Sequence, residues 1–262
     1  MALNIIPTDT NDVTLEKAAK KLLEKARIAA SATDNQLTEL VRYDSNIIQG
    51  ITNVVKEQKI SDIILGLHKK QGISDSFLGN LTEGILSRIN VTTLIYRFTQ
   101  PLNTINRYFI IAPVDAEMEI GFPFWLLRVW NIGRNTGAKL VFYGTNSLIK
   151  YVQEVQRNHA VQIEFREFSE WEDFLIISRD MKENDALFIV MSRKNEISYD
   201  PIMKSIPKYL NRYFQSYNYI LAYPMQHGLS DFKAGNIFSP FVNNFDRLDD
   251  IGQIITALFK RK

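Results

Sequence analysis

The chain contains no cysteine, so it forms no disulfide and offers no thiolate ligand to a metal ion. Its three histidines are His68, His159 and His227, and none has a neighbour at the spacing of a metal site. No stretch approaches the roughly eighteen consecutive apolar residues that read as a membrane span. The 31 basic and 29 acidic residues give a net charge of +2, which provides no reason to expect a nucleic-acid partner. We therefore expect a soluble polypeptide of a reducing compartment, without a bound metal.

Motifs of bond-making chemistry are also missing. The sequence contains no Gly-x-Ser-x-Gly nucleophile elbow, no Walker loop and no paired-cysteine motif. Carboxylate pairs such as Glu170 with Asp173 lie on polar faces, where contact with solvent is their ordinary role. The sequence predicts that the protein is not an enzyme.

The arrangement of apolar runs indicates the fold class. Short apolar runs alternate with amphipathic helical patterns over 262 residues, which indicates an α/β fold with a mainly parallel sheet. The alternation restarts after a linker near Pro101. We predict a first domain at residues 1–97 with four strands, a second at 104–224 with five, and a C-terminal extension at 225–262.

The extension includes a predicted helix at residues 245–262, with apolar residues on one side and Lys260, Arg261 and Lys262 at its end. It can dock on the domain, pair with a second chain or contact an anionic membrane surface. Basic residues also suit the C-terminus of any helix, so these alternatives stay open.

One strand–turn–helix segment occurs twice. The turn His-Lys-Lys-Gln-Gly-Ile-Ser at 68–74 aligns without a gap with Ser-Arg-Lys-Asn-Glu-Ile-Ser at 192–198. In the first copy, Gly66 and Gly79 flank the turn before a predicted helix. Glycines let a backbone approach a phosphate closely, and a helix N-terminus donates N–H groups to an anion. The first copy therefore has two elements of a phosphate site.

This first copy resembles the universal stress protein family, whose nucleotide-binding members have Gly, two residues, Gly, nine residues, Gly and then Ser or Thr after an apolar strand. Gly66 and Gly79 match the first and third glycines, whereas Lys69 and Asn80 replace the second glycine and the hydroxyl residue. The resemblance implies that ATP or another adenine nucleotide, if bound at all, lies at these four residues. Lys69 could crowd a phosphate or neutralise it.

The second copy departs further from the family pattern. Val190, Arg193 and Met203 occupy its glycine positions, so we expect no phosphate site there. Asp115 matches the aspartate that lies near the adenine and ribose in the family, and it could equally cap its turn or the next helix. We expect Asp115 to contact protein groups, and Tyr199 or Pro201 to pack against the fold.

Several stretches of the second half resemble the cytosolic tail of bacterial cation:proton (Na+/H+) antiporters, in which two degenerate universal-stress repeats follow a membrane exchanger domain. These stretches are residues 101–113, 121–125, 137–143, 171–178 and 197–201. The resemblance implies a non-catalytic regulatory or assembly domain on the cytoplasmic face of the inner membrane, with the exchanger domain of the same polypeptide as partner. The alternative is a free-standing tandem universal stress protein that binds ATP.

The resemblance also implies strand order. In this family the opening strand lies at the centre of the sheet, in the order 3-2-1-4-5, and the first half lacks that strand and its helix. We therefore expect Met1 to fall inside a longer protein, and the strands at 3–6 and 63–65 either to pair directly or to borrow a strand from a neighbour. The last strands of the halves, 91–96 and 219–223, are expected to pair, and a homodimer is compatible with that arrangement.

The helix after Gly121 has apolar residues at 122, 125, 126, 129 and 130, which form one stripe that we expect to face the sheet. Phe124 and Leu127 lie off that stripe and are the candidates for exposure to a partner.

Overall fold

The computed structural model describes residues 1–9, 13–67, 78–158 and 161–226. The chain divides into two compact units, a smaller one of residues 1–60 and 80–88 and a larger one of residues 61–79 and 89–262. Lys69 and the predicted helix at 245–262 lie outside the described residues. No described helix is long and apolar enough to cross a membrane.

The smaller unit contains two parallel strands and three helices. They are β1 (Ala2–Pro7), α1 (Val13–Ser31), β2 (Glu39–Asp44), α2 (Ile47–Glu57) and the 80–88 part of α3 (Gly79–Arg88). Helix α2 lies very close to β1, because a Cβ atom at Gly50 would stand 2.7 Å from Cγ2 of Ile5. Asn46 caps α2 by accepting a hydrogen bond from the Gln49 N–H at 2.9 Å. The sequence offers Asp44 or Ser45 as the cap of this helix, and the structure shows that prediction to be wrong by one or two residues.

Helix α1 is less buried than its sequence predicts. The apolar positions of residues 14–30 predict one buried face that includes Leu15, Leu22 and Leu23. In the structure Leu23 is buried, whereas Leu15 and Leu22 are exposed, the latter by 61%. The two strands of this unit pair only with each other among the described residues. A two-stranded sheet offers little apolar surface for a helix to cover, and that explains the exposure.

The larger unit is built on a seven-stranded sheet. Its strands are β3 (Asp62–Gly66), β4 (Thr92–Arg97), β5 (Arg107–Ile111), β6 (Lys139–Gly144), β7 (Ile163–Glu167), β8 (Asp185–Val190) and β9 (Asn218–Tyr223). Their order is β3-β4-β9-β8-β5-β6-β7. All neighbours are parallel except β4 and β9, which pair antiparallel with Ile95 opposite Leu221. The predicted pairing of the last strands of the two halves is confirmed.

Helices of this unit are α4 (Phe122–Thr136), α5 (Asn146–Asn158) and α6 (Ile206–Tyr213). The sequence pattern predicts continuous helices at residues 171–181 and 201–214. The structure instead has 3₁₀ helices at Trp171–Arg179 and Pro201–Ser205, the second leading into α6. Pro207 stands in the first turn of α6, where its missing N–H has no intrahelical partner to lose. The sequence predicts a helix at about residues 121–134 with Gly137 as its C-terminal cap, and Gly137 does end α4, with φ of 69°.

The core of the larger unit lies between α4, α5 and the strands β5, β6 and β8. The predicted stripe on α4 is fully buried, including Trp125, Val129 and Trp130. Phe124 and Leu127 are half-buried, as expected for residues off the stripe. Burial of each large apolar side chain contributes about 1.5–3 kcal/mol, so this helix is firmly attached to the sheet.

Candidate functional site: the carboxyl ends of β5 and β8

The order of the strands identifies the place where a ligand would bind. From β5 the chain proceeds to β6 and β7 on one side, and it then returns to β8 and β9 on the other. The carboxyl ends of β5 and β8 therefore border a topological switch point, which is the usual ligand crevice of a parallel α/β sheet. The residues after these two strands decide whether such a crevice exists here.

Arg193 follows β8 and is buried. Its guanidinium donates to the carbonyl of Pro224 and, at 3.3 Å each, to those of Ile89 and Val91. Burial lowers the pKa of Arg193 to about 10, so the side chain is still charged at neutral pH. The buried cation thus faces carbonyl dipoles of the segments beside β4 and β9.

Gln226 occupies the space next to Arg193. Its Oε1 accepts from the Arg193 N–H at 2.8 Å, and its Nε2 donates to Oγ of Ser192 at 2.8 Å. Its N–H donates to Oδ1 of Asn90 at 3.0 Å, and Nδ2 of Asn90 donates to the Gln226 carbonyl. The side chain of Gln226 is 1% exposed. These bonds join the turn after β8 to residues flanking β4 and β9, and we call Asn90, Ser192, Arg193 and Gln226 the Arg193 network.

Glu119 accepts hydrogen bonds from the C-terminal end of the turn at residues 192–198. Its Oε1 accepts from the N–H of Ser198 at 3.1 Å and from Oγ of Ser198 at 2.8 Å, and both residues are buried. Glu119 follows the 3₁₀ helix Ala116–Met118, which comes after β5. The turn after β8 is thereby tied to the segment after β5.

Glu196 lies between these contacts and is half-buried. Burial, aided by the charge of Glu119, raises the pKa of Glu196 to about 7, against the opposing effect of Arg193. The turn therefore carries a carboxyl group that changes charge close to neutral pH.

Glu117 is a second buried carboxylate after β5. Its Oε1 accepts from Oγ of Ser147 at 2.5 Å, while its Oε2 has no hydrogen-bond partner among the described residues. Ser147 stands in the first turn of α5, and the positive end of a helix favours a nearby anion. Glu117 therefore takes the position near a helix N-terminus that an external anion could otherwise use.

Close backbone packing also narrows the crevice. A Cβ atom at Gly121 would lie 2.4 Å from the Met225 carbonyl oxygen and 2.6 Å from Cβ of Pro224. The start of α4 is thus pressed against the segment that follows β9. Protein groups therefore pack against both the segment after β5 and the turn after β8.

Asp115 differs from its expected arrangement. It has φ of 58°, and its carbonyl accepts from the Met118 N–H at 3.0 Å. Its carboxylate is exposed and makes no hydrogen bond or ion pair within the described part of the chain. Within the described residues, the expected contact of Asp115 with protein groups is therefore made by its backbone and not by its carboxylate. Tyr199 is half-buried and Pro201 exposed, so neither is fully packed as predicted.

The described residues of the first copy lie at the two ends of its turn. Gly66 ends β3 and borders an open depression of about 730 Å³ together with Leu67 and Arg97. Gly79 begins α3 with φ of 80°, a conformation that favours glycine, and Asn80 follows it with an exposed side chain. Lys69 lies outside the described residues, so the role of these four positions in nucleotide binding stays a prediction.

Sequence reasoning found part of the site. Arg193 was recognised as a side chain that fills the place of a glycine. Asn90, Glu119 and Gln226 were missed. Asn90 and Gln226 are polar residues close to the buried strands β4 and β9, which is a signal that could have identified them, whereas Glu119 follows a 3₁₀ helix and has no such signal.

The first part of the chain matches a known protein family. Residues 6–97 match the profile of the universal stress protein family. No curated protein matches the chain.

Solved structures are similar over most of the chain. A universal stress protein from Archaeoglobus fulgidus DSM 4304 is 13% identical, with a TM-score of 0.55 and coverage of 84% of each chain. A functionally unknown protein from Pseudomonas aeruginosa PAO1 is 11% identical, with a TM-score of 0.53 and coverage of 97% of this chain and 85% of that one. The cytoplasmic domain of a prokaryotic cation chloride cotransporter is 11% identical, with a TM-score of 0.50 and coverage of 87% and 85%. The chain thus has the α/β fold of universal stress proteins, which is adenine nucleotide alpha hydrolase-like.

Proposed function

We propose that this chain is a non-catalytic regulatory or assembly module of a membrane monovalent cation:proton antiporter. The module lies on the cytoplasmic face of the membrane, and its partner is the exchanger domain of the same polypeptide. The observation that carries the proposal is the filled switch point, where Arg193 and Gln226 are buried in hydrogen bonds to protein groups.

A filled switch point suits a structural role better than a ligand-binding role. A phosphate at a parallel-sheet switch point needs free N–H groups and room for close approach. Here the N–H of Arg193 is donated to Gln226 and the N–H of Ser198 to Glu119. A nucleotide would have to break these bonds and approach the buried carboxylate of Glu119.

The transporter assignment has separate support. The second half resembles antiporter tails in several stretches of sequence. In addition, the fold is similar to the cytoplasmic domain of a prokaryotic cation chloride cotransporter. A universal-stress-like fold therefore occurs as a cytoplasmic domain attached to an ion transporter, and we propose the same use here with a different transported ion.

A rigid connection through the sheet gives the module a way to act. The Arg193 network joins segments beside β8, β4 and β9, so displacement of one segment is transmitted to the others through buried hydrogen bonds. Buried networks of this kind change arrangement as a unit rather than gradually.

Proton flux in everted membrane vesicles of the source organism tests the proposal. We expect Arg193→Ala, introduced into the gene, to change the rate or pH dependence of Na+- or K+-dependent proton flux at an unchanged amount of transporter. Lys208→Ala, at an exposed position of α6, is the control and should leave the flux as it is. The proposal would be contradicted if the Arg193→Ala vesicles had the same proton flux as the parent vesicles. It would also be contradicted if the parent vesicles showed no proton flux with any monovalent cation.

The alternative, a tandem universal stress protein that binds ATP, is favoured by the family match at residues 6–97 and by the positive φ of Gly79. Isothermal calorimetry separates the two functions. We expect weak or no ATP binding. Low-micromolar affinity that Gly79→Asp abolishes, in a variant whose circular dichroism is unchanged, would favour the alternative.

A further inference from the structure

Three exposed apolar side chains lie beyond the carboxyl ends of β5 and β8. Val114 and Met118 follow β5, and Ile197 lies in the turn after β8, with exposed fractions of 40%, 51% and 60%. The two strands are adjacent and parallel, so the segments that follow them emerge at the same edge of the sheet. Exposed apolar side chains that are grouped rather than scattered mark a binding surface. We call these three residues the apolar patch.

Hydrogen bonds fix the position of the apolar patch. Met118 is followed by Glu119, and Ile197 is followed by Ser198. Oε1 of Glu119 accepts from both the N–H and the Oγ of Ser198, so Met118 and Ile197 lie on segments that are bonded to each other. Val114 belongs to the same short segment after β5 as Met118. The patch is therefore a fixed feature of the folded chain.

The segments that carry the apolar patch have an excess of negative charge. Residues 113–120 and 192–199 together contain four carboxylates and two cations. The Asp115 carboxylate is exposed and makes no hydrogen bond or ion pair within the described part of the chain. A partner that complements this surface therefore needs apolar side chains next to basic ones.

The chain itself contains such a partner, and it begins beside the patch. Gln226 is the last residue that the structure describes, and its Nε2 donates to Oγ of Ser198 at 3.4 Å. Since Ser198 directly follows Ile197, residues 227–262 start at the rim of the apolar patch. The predicted helix at 245–262, which lies outside the described residues, has apolar residues on one side and three basic residues at its end.

We infer that the apolar side of the helix at 245–262 docks on the apolar patch of the same chain, with its basic end beside Asp115. The residues between Gln226 and the helix span about 60 Å when extended, so the helix can return to the patch. Attachment at the rim also keeps the helix at a high effective concentration there. The docking surface is independent of the transporter assignment, since it rests on the patch, its charge and the place where the chain leaves the described fold.

Hydrogen exchange of the 262-residue chain, measured by mass spectrometry, tests the docking. Helices in proteins owe most of their stability to the packing of an apolar face, so slow exchange at residues 245–262 reports docking. Ile197→Lys removes part of the apolar patch and sets a cation against the basic end, and it should accelerate this exchange about tenfold or more. Ile176→Lys, at another exposed isoleucine, is the matched control and should stay within about twofold of the parent.

Asp115→Asn tests the charge separately. Asparagine also adopts a positive φ, such as the 58° found at this position, so the variant removes the charge alone. Exchange at residues 245–262 should become about two- to fivefold faster at low salt, and the difference should shrink at high salt. An unchanged rate at low salt would contradict the position of the basic end.

Circular dichroism checks the folding of each variant, and Met118→Lys replaces Ile197→Lys if the latter unfolds. Fast exchange at residues 245–262 in the parent chain, or equal exchange in Ile197→Lys and Ile176→Lys, would overturn the inference. So would slow exchange that depends on the concentration of the chain, or that arises only with vesicles of anionic lipid. A second copy or a membrane would then be the partner of the helix.

Discussion

Strands β3 and β8 come from equivalent positions of the two halves, yet their surroundings are opposite. Around β8, every residue of the strand is buried, and the turn that follows is held by Arg193 and Glu119. Around β3, the residues are half-buried or exposed, and the glycines of the family pattern are kept at 66 and 79. The strand of a strand–turn–helix segment can thus be fully buried in one copy while the strand of the other copy is partly exposed.

The difference teaches where stability is located. Closing the second copy required buried polar side chains, and the hydrogen bonds of Arg193, Glu119 and Gln226 join distant parts of the chain. Substitutions at equivalent positions should therefore have unequal costs in the two halves.

The largest difference is expected between Phe188→Ala and Ile64→Ala. Phe188 is fully buried, so its truncation should lower the free energy of unfolding by about 3–5 kcal/mol. Ile64 is mostly exposed, and its truncation should cost about 0.5 kcal/mol or less. Urea denaturation measures both, and similar losses would show that β3 is covered in solution.

Gly121 before α4 and Gly66 at the end of β3 should also differ. A methyl group at Gly121 meets the backbone carbonyl of Met225 at 2.4 Å, so Gly121→Ala should destabilise by about 3 kcal/mol. A Cβ atom at Gly66 would lie 3.3 Å from the Tyr96 hydroxyl, its nearest neighbour, which ends a side chain that can move. Gly66→Ala should therefore lower the free energy of unfolding less than Gly121→Ala. Thermal unfolding compares the two variants, and an equal shift in Tm would contradict close packing at Gly121.

Two arginines provide the next comparison. Arg193→Ala removes the donor to three buried carbonyls and should lower the free energy of unfolding by about 2–3 kcal/mol. Arg42 of the smaller unit pairs with Glu57 at the surface, and Arg42→Ala should have a clearly smaller effect because solvent screens such pairs. If urea denaturation shows that both variants lose the same free energy of unfolding, the Arg193 network does not stabilise the site.

The smallest effect concerns pH. The pKa of Glu196 is about 7 in the folded chain, against an ordinary value of 4.5 for an unfolded chain. Between pH 4.5 and pH 7 the folded state therefore binds more protons than the unfolded state. Stability should therefore fall as pH rises from 4.5 to 7. Above pH 7 the free energy of unfolding of Glu196→Gln should exceed that of the parent by about 1 kcal/mol, a figure already reduced for partial solvent screening. Below pH 4.5 the two free energies should differ little. Unfolding at both pH values, with exposed Glu172→Gln as control, measures this difference.

Much of the fold was predictable because it depends on local pattern. The stripe on α4, the cap at Gly137 and the pairing of β4 with β9 followed from periodicity, a glycine and the family resemblance. The bond between Asn90 and Gln226 joins residues 136 positions apart, and no local pattern reports such a contact. Asp115 was misjudged because an aspartate after a strand looks the same whether its carboxylate points to protein or to solvent.

Residue-resolved NMR of the 262-residue chain during titration with Mg-ATP tests the central claim most directly. The claim is that protein side chains fill the switch point between β5 and β8. We predict that the amide signals of Ser192, Arg193, Ser198 and Gln226 do not shift at millimolar nucleotide. Saturable shifts confined to those residues would contradict the account, because they would show that the Arg193 network opens to admit a ligand.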